Sequence, residues 1–273
     1  MADDPRADLA SIAASLRAYL EWQGEAGTSG FPRAANRTPA IAPPPGPASA
    51  SSPASASTST SPPAPAPAPA TASVPSSLER LPVLAREVSS CTKCGLSATR
   101  TQTVFSRGNA ASRLCFVGEA PGADEDEQGI PFVGRAGQLL DRMIGAMGLD
   151  PERDVYVCNI LKCRPPGNRR PEPEEMATCI PYLHEQLALV KPRVIVALGN
   201  TAVSALLDTK VGITKLRGQW KLYRGQTLLM PTYHPSYLLR PSPQQVEAKR
   251  QAWEDLQLVM KELGIERKPA GRS

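Results

Sequence analysis

The sequence predicts an α/β fold, a three-layer α/β/α sandwich around a short parallel sheet, for the part of the chain that follows about residue 78. Two observations carry this. Four near-continuous apolar runs, RLCFVGEA (113–120), DVYVCNIL (154–161), RVIVALG (193–199) and TLLMPTYH (227–234), have the length and the Val, Ile and Leu content of strands buried on both faces. Between and after them lie segments whose apolar residues recur at helical spacing. Strands alternating with amphipathic helices form a parallel sheet covered on both sides.

In chain order, the first element stands apart from this body. Asp8 can cap a helix in which Leu9, Ile12, Leu16 and Leu20 share a face with Tyr19 and Trp22 beside them, so residues 1–26 read as a short amphipathic helix. One such helix cannot build a core; it docks on its own body or binds a protein partner. Residues 27–77 are dominated by Ala, Pro, Ser and Thr, as in ASASSPASASTSTSPPAPAPAPATAS, and read as a disordered linker. They have almost no large apolar side chains to offset the entropy of ordering, and alternating Pro-Ala favours extended geometry. The folded domain spans 78–265. Its helices are expected at Ala136–Met147, with Leu139, Leu140, Met143 and Ile144 on one side, and at Pro173–Val190, Thr201–Leu207 and Gln244–Leu263. Residues 266–273 form a basic tail.

Residues 1–80 carry five Arg against six Asp or Glu, which leaves 26 basic and 20 acidic residues in the body. A mildly basic body suits a polyanion but does not identify one. No run of about twenty apolar residues exists, and the first 23 residues are acidic early on rather than basic then apolar, so neither a membrane span nor a signal peptide is expected. A cytoplasmic, monomeric protein with no membrane partner follows, and in that compartment cysteines are reduced thiols or metal thiolates rather than disulfides.

The cysteines fall into two kinds. Cys115 and Cys158 lie inside apolar strands and read as small buried side chains. Cys91 and Cys94 form a C-x-x-C pair, while Cys163 and Cys179 bracket the loop CRPPGNRRPEPEEMATC. Four such thiolates suit zinc or an iron–sulfur cluster alike, and Cys163 and Cys179 could also be merely small and buried. Ligands of open α/β sheets sit at the carboxyl ends of the strands. That rule gathers a carboxylate, Glu119 after the first strand, an amide, Asn159 in the second, and an imidazole, His234 after the fourth, at one edge.

The stretches GEAPGADEDEQGIPFVGRAG, NILKCRPPGNRRP followed by Cys179, and HPSYLLR resemble, in order, the motifs of the family 4 uracil-DNA glycosylases, the iron–sulfur type. The resemblance runs from about Cys91 to Leu263. It implies the uracil-DNA glycosylase-like form of the sandwich, uracil-containing DNA as substrate, and hydrolysis of the N-glycosidic bond of a flipped base to leave an abasic site. It also implies that Cys91, Cys94, Cys163 and Cys179 hold a [4Fe–4S] cluster.

By the same resemblance Phe132 stacks on the base and Asn159 reads its edge. His234 donates to O2, where charge builds as the bond opens. Glu119 orients water or stabilises the sugar cation. Family 1 enzymes place a carboxylate where this chain has Ala120 and a thymine-excluding aromatic where it has Gly122; Ala120 then lies in the uracil pocket, and Glu125 takes over the exclusion of thymine. Leu238 falls where related enzymes carry a wedge for the gap left by the flipped base, with Ser236 and Arg240 holding the backbone. Arg164, Arg169 and Arg170, on a loop pinned at both ends, suit phosphate oxygens. The acidic neighbours Asp124 and Glu127 read as a solvated turn, and His184, in a helical stretch, as surface.

Two other functions compete. A related branch of the superfamily captures uracil-DNA covalently through a histidine in the loop after the second strand, but here that loop, KCRPPGNRRPEPEE, contains none. A metal-stapled nucleic-acid-binding module without catalysis would not need Glu119, Asn159 and His234 together.

Overall fold

A computed structural model describes residues 77–266. The expected helix in 1–26, nearly all of the linker 27–77 and the tail beyond Glu266 lie outside the described residues. The chain opens with α1 (Ser77–Ser89), followed by a 3₁₀ turn at Gly95–Ala98, β1 (Arg107–Gly108) and β2 (Leu114–Gly118). Next come α2 (Ala123–Gln128), α3 (Arg135–Ala146), β3 (Tyr156–Asn159), a 3₁₀ turn at Pro166–Asn168 and α4 (Pro173–Val190). The remainder is β4 (Val194–Leu198), α5 (Gly199–Leu207), α6 (Ile213–Leu216), β5 (Lys221–Tyr223), β6 (Thr227–Thr232), α7 (Pro235–Leu238) and α8 (Gln245–Leu263).

The six strands form one sheet in the order β1-β3-β2-β4-β6-β5. The four expected strands, β2, β3, β4 and β6, are its parallel centre, with Gly118 opposite Asn159 and Val196 opposite Met230. Alternation within the strands sends side chains to both faces. Leu114, Phe116, Val157 and Val196 join Leu140 and Ile144 of α3 and Leu256 and Val259 of α8 in one buried cluster. On the other face Tyr156 is buried beneath α4, whose Gln186 Nε2 donates to its hydroxyl at 3.0 Å, and α1 is tied to α4 by Arg80 Nε donating to Glu185 at 2.8 Å. These are the three expected layers. Cys115 and Cys158 are fully buried within them.

The edge strands β1 and β5 were not expected. They pair antiparallel and hold two and three residues, too few for an apolar run to show. The acidic run is α2 rather than a turn. Its first-turn carboxylates favour a helix N-terminus, and Asp126, almost fully buried, accepts from the backbone N–H of Thr101 at 3.0 and 3.1 Å. Asp124 and Glu127 are exposed on it. His184 is half-buried rather than on the surface, its Nδ1 2.6 Å from the Tyr223 hydroxyl of β5, because the unforeseen strand covers it. No described helix is long and apolar enough to cross a membrane.

Candidate active site

Strand order reverses between β2 and β4, since β3 lies on one side of β2 and the chain then crosses to the other. At this switch point the carboxyl ends of β2, β3, β4 and β6 open into a cleft of about 900 Å³. Glu119 and Ala120 enter it after β2, Asn159 from the last position of β3, Asn200 after β4 and His234 after β6. The three groups expected at one edge are therefore brought together.

Asn159 is 1% exposed, and its Oδ1 is buried without a hydrogen-bond partner. An orphaned acceptor in a cleft is costly unless a ligand supplies the donor. Phe132 lies beside it because Gly118 leaves room: a Cβ there would stand 2.4 Å from Asn159 Oδ1 and 2.5 Å from the Phe132 ring. Phe132 itself has φ +58°, a left-handed conformation that is unfavourable for an aromatic residue. Two features hold it there. Gly137 of α3 lets the helix close on the Phe132 backbone, where a Cβ would overlap the carbonyl oxygen at 1.8 Å. Glu125 accepts from the backbone N–H groups of Gly122 at 2.9 Å, Val133 at 3.0 Å and Gly134 at 2.9 Å. Glu125 does line the cleft, but its Oε1 is engaged with the loop that carries Phe132 and its Oε2 caps the start of its own helix at Gly122.

The His234 ring sits 5.8 Å from that of Phe132, tilted by 32°. Its Nδ1 accepts from the Ser236 backbone N–H at 3.1 Å and lies 2.8 Å from the Ser236 hydroxyl. A backbone N–H can only donate, so Nδ1 is unprotonated and the neutral ring carries its proton on Nε2. Burial, with the Arg240 charge adding to it, pushes the imidazole pKa down to about 4. His234 is thus a neutral donor. Ser236, which lines the cleft, turns its amide and hydroxyl toward the ring. The Glu119 carboxylate lines the cleft and makes no hydrogen bond or ion pair among the described residues.

Two further expectations are corrected. Leu238 is 2% exposed and packs with Tyr233, Ala248 and Ala252, so it cannot enter a base stack; α7 turns it inward. Its neighbour Tyr237 is 43% exposed at the cleft rim, with its ring 5.1 Å from that of Tyr233. Arg169 lies at the rim, but its guanidinium forks onto Glu175 of α4 at 2.6 and 3.0 Å, a bidentate pair that pins the loop and leaves little of the fork for phosphate. Arg164 is not part of the cleft lining but donates to Asn168, which is, at 2.7 Å, whereas Arg170 and Arg240 line the cleft and are exposed. Arg135, exposed at the start of α3, joins them at the rim. Arg135 and Tyr237 both fall within the quoted motif stretches, but only the facing of α3 and α7 shows that they line the cleft.

Cys91, Cys94, Cys163 and Cys179 line a second, small cavity with Val88, Arg100 and Tyr182. Arg100 Nη1 donates to Cys163 Sγ at 3.2 Å, and the Lys162 backbone N–H to Cys179 Sγ at 3.3 Å. Burial pushes the Cys163 thiol up and that of Cys179 to about 11. Donors aimed at sulfur and thiols that resist ionisation alone together suit a cationic centre that binds thiolate. Among the described residues no three Cys, His, Asp or Glu side chains converge as ligands of one metal ion.

Fold and site define an α/β-sandwich protein whose strand-end cleft brings together an aromatic ring, an orphaned amide oxygen and a neutral imidazole. Residues 105–257 match a model of the uracil DNA glycosylase superfamily. A type-4 uracil-DNA glycosylase of Thermotoga maritima is 49% identical over 163 residues, covering 59% of this chain and 84% of the relative. Those of Saccharolobus solfataricus and Archaeoglobus fulgidus are 42% and 44% identical over 174 and 171 residues, covering 61% and 59% of this chain and 80% and 84% of theirs. The chain belongs to the uracil-DNA glycosylase superfamily, in its type-4 branch.

Proposed function

We propose that the protein is a monofunctional uracil-DNA glycosylase that initiates repair by removing uracil from DNA. The observation that carries the reading is the orphaned Oδ1 of Asn159 between Phe132 and Gly118. Uracil extruded from the stack would lie against Phe132, with its N3–H donating to Oδ1 and its O4 accepting from the amide nitrogen. The His234 Nε2–H meets O2. Water adds its oxygen to C1′ as the C1′–N1 bond breaks; the electron pair leaves with uracil, whose negative charge spreads to O2, and the water's proton is released. A preorganised donor at such an anion is worth about 3 kcal/mol of barrier. Glu119, with a free carboxylate, positions the water or offsets charge at C1′.

On the DNA side, Arg135, Arg170 and Arg240 meet phosphates around the cleft, and Tyr237 rather than Leu238 fills the vacated stack. Cys91, Cys94, Cys163 and Cys179 would hold a [4Fe–4S] cluster, which would supply a structural clamp on the loop 164–170. Arg169, through Glu175, closes the other side of that clamp.

The test is single-turnover excision on matched oligonucleotides containing uracil or cytosine, with alkali-labile sites and protein–DNA adducts measured separately. Alkali-labile sites without adducts are expected. Asn159→Asp loses the donor to O4, and a mispaired edge in a closed pocket costs about 1–3 kcal/mol, so uracil excision should fall at least roughly tenfold while any gain appears on cytosine. A wild-type uracil rate in that variant would remove Asn159 as the reader. A stable adduct would favour covalent capture instead. Protein prepared without oxygen should contain iron, and stoichiometric zinc in its place would overturn the cluster.

A further inference from the structure

The side chain of Arg107, in the edge strand β1, is only 7% exposed. Three acceptors share its guanidinium: Nε donates to the carbonyl oxygen of Pro131 at 2.9 Å, Nη1 to Glu152 at 2.8 Å and Nη2 to Asp141 of α3. The Pro131 carbonyl belongs to the peptide that leads into Phe132, so the first of these bonds acts directly on the residue held at φ +58°. Asp141 stands one turn beyond Gly137 on the same face of α3, and Gly137 is the residue that closes on the Phe132 carbonyl. After Phe132, the amides of Val133 and Gly134 are given to Glu125. Every residue from 131 to 134 thus has a backbone group fixed, which is how an unfavourable conformation persists. The backbone of Arg107 is placed in turn by β3, where it lies opposite Val157, and β3 ends at Asn159. One side chain therefore reaches from beside the strand that carries the amide to the loop that carries the ring. Its pair with Glu152, a side chain 64% exposed, contributes little, whereas loss of the bond to buried Pro131 would leave an acceptor unsatisfied.

We propose that Arg107 is a positioning residue that sets the Phe132 ring in register with the Asn159 amide, so that a flipped uracil meets both at once. It touches no substrate and acts through the Pro131–Phe132 peptide. The inference rests on the reading of Phe132 as the base platform and Asn159 as the residue that reads the base. It gives the two-residue strand β1 a task in the site, and it predicts that loss of one hydrogen bond to a carbonyl slows the chemical step more than it weakens DNA binding, because a displaced platform misaligns the reacting bond.

Three substitutions separate the bond to Pro131 from the ion pairs. Arg107→Gln places an amide nitrogen where Nε stands and ends there, so it keeps that donor and loses both carboxylate partners. Arg107→Met has the same reach with a methyl group in that place and loses all three bonds. Arg107→Lys puts a methylene beside Pro131 and carries its ammonium on to Asp141 and Glu152. Each would be compared with wild type for stability in urea, for hydrogen exchange at the amides of Phe132, Val133 and Gly134, and for single-turnover excision of uracil over a range of enzyme concentrations. The Met variant should lose roughly tenfold in maximal rate with the half-saturating enzyme concentration unmoved. The Lys variant should show the same loss although its ion pairs remain, and the Gln variant should stay within about threefold of wild type although its ion pairs are gone. In a Phe132→Leu background, which has no ring to place, Arg107→Met should change the rate less than about twofold. Equal rates in the Gln and Met variants, or a Met loss undiminished in the Phe132→Leu background, would reduce Arg107 to a structural ion pair and overturn the proposal. Should the Met variant fail to fold, the Lys variant decides: a wild-type rate in it would overturn the proposal equally. A wild-type protein that excises no uracil would sink the functional reading instead. Faster exchange at Phe132, Val133 and Gly134 in the Met and Lys variants than in the Gln variant would then still uphold the hold on the loop, and equal exchange in all three would remove it.

Discussion

The imidazole of His234 shows how a single side chain is set for its task. Its Nδ1 is committed to Ser236, burial holds its pKa near 4, and the proton it offers is therefore the Nε2–H of a neutral ring. Excision should accordingly show no inflection near pH 6.5, the ordinary histidine value, and a rate profile that falls with a midpoint there would refute the depressed pKa. Stability should behave differently. The unfolded chain takes up a proton on this ring below about pH 6.5 and the folded one only near 4, so the folded state is fully favoured above 6.5 and loses up to about 3 kcal/mol as the pH falls toward 4. Denaturant titrations of wild type and His234→Gln across that window would isolate the contribution. Tyr237 is the residue whose role the sequence concealed. Tyr237→Ala should slow excision from duplex DNA several-fold, in line with about 1 kcal/mol or more for a lost stacking contact, and leave single-stranded substrate nearly untouched. Equal losses on both substrates would place Tyr237 elsewhere. Glu119, Asn159 and His234 were legible because strand ends fix where they go. Leu238 and Tyr237 were not, because α7 has four residues and no periodicity to say which one faces the core.

At the scale of elements, the segment from β2 to α3 is built to present Phe132. The strand ends in Gly118, α2 supplies Glu125, and the start of α3 supplies Gly137, three residues that serve one backbone conformation. Glu125 was expected to exclude thymine. It also ties the loop through bonds from Val133 and Gly134 and the start of α2 through one from Gly122, and the two roles predict opposite outcomes for Glu125→Ala. Loss of bonds to a charged acceptor costs about 1.5–3 kcal/mol each, so a released loop should lower uracil excision by tenfold or more, with thymine remaining inert. Measurable thymine release with uracil excision intact would restore the exclusion role. The central strands were legible because burial on both faces writes them as apolar runs. β1 and β5 were not, being short edges whose pairing is decided by partners far along the chain, and α2 was hidden because its acidic residues look solvated until Asp126 is seen capping Thr101.

For the whole molecule, the place where the folded body begins decides what can be removed. The superfamily match starts at residue 105, and the composition of 27–77 argues that the body starts near 78. The structure gives α1 a part in that body: Leu81, Leu84 and Val88 are buried, Arg80 pairs with Glu185 of α4, and Val88 lines the thiol cavity. Two truncations therefore should behave differently. Removal of residues 1–76 leaves every contact of the described body in place, and excision of uracil from a short oligonucleotide should stay at the full-length rate. Removal of residues 1–90 strips three buried apolar side chains, each worth about 1.5–3 kcal/mol, and opens the cavity wall beside Cys91. The shorter protein should lose iron and melt well below the full-length chain, and its activity should fall with its iron content. Iron per protein, melting temperature and single-turnover rate measured on all three chains would settle the boundary. Full iron and full activity after removal of 1–90 would show that α1 only decorates the domain, whereas a large loss of turnover after removal of 1–76 would show that the arm takes part in catalysis on DNA.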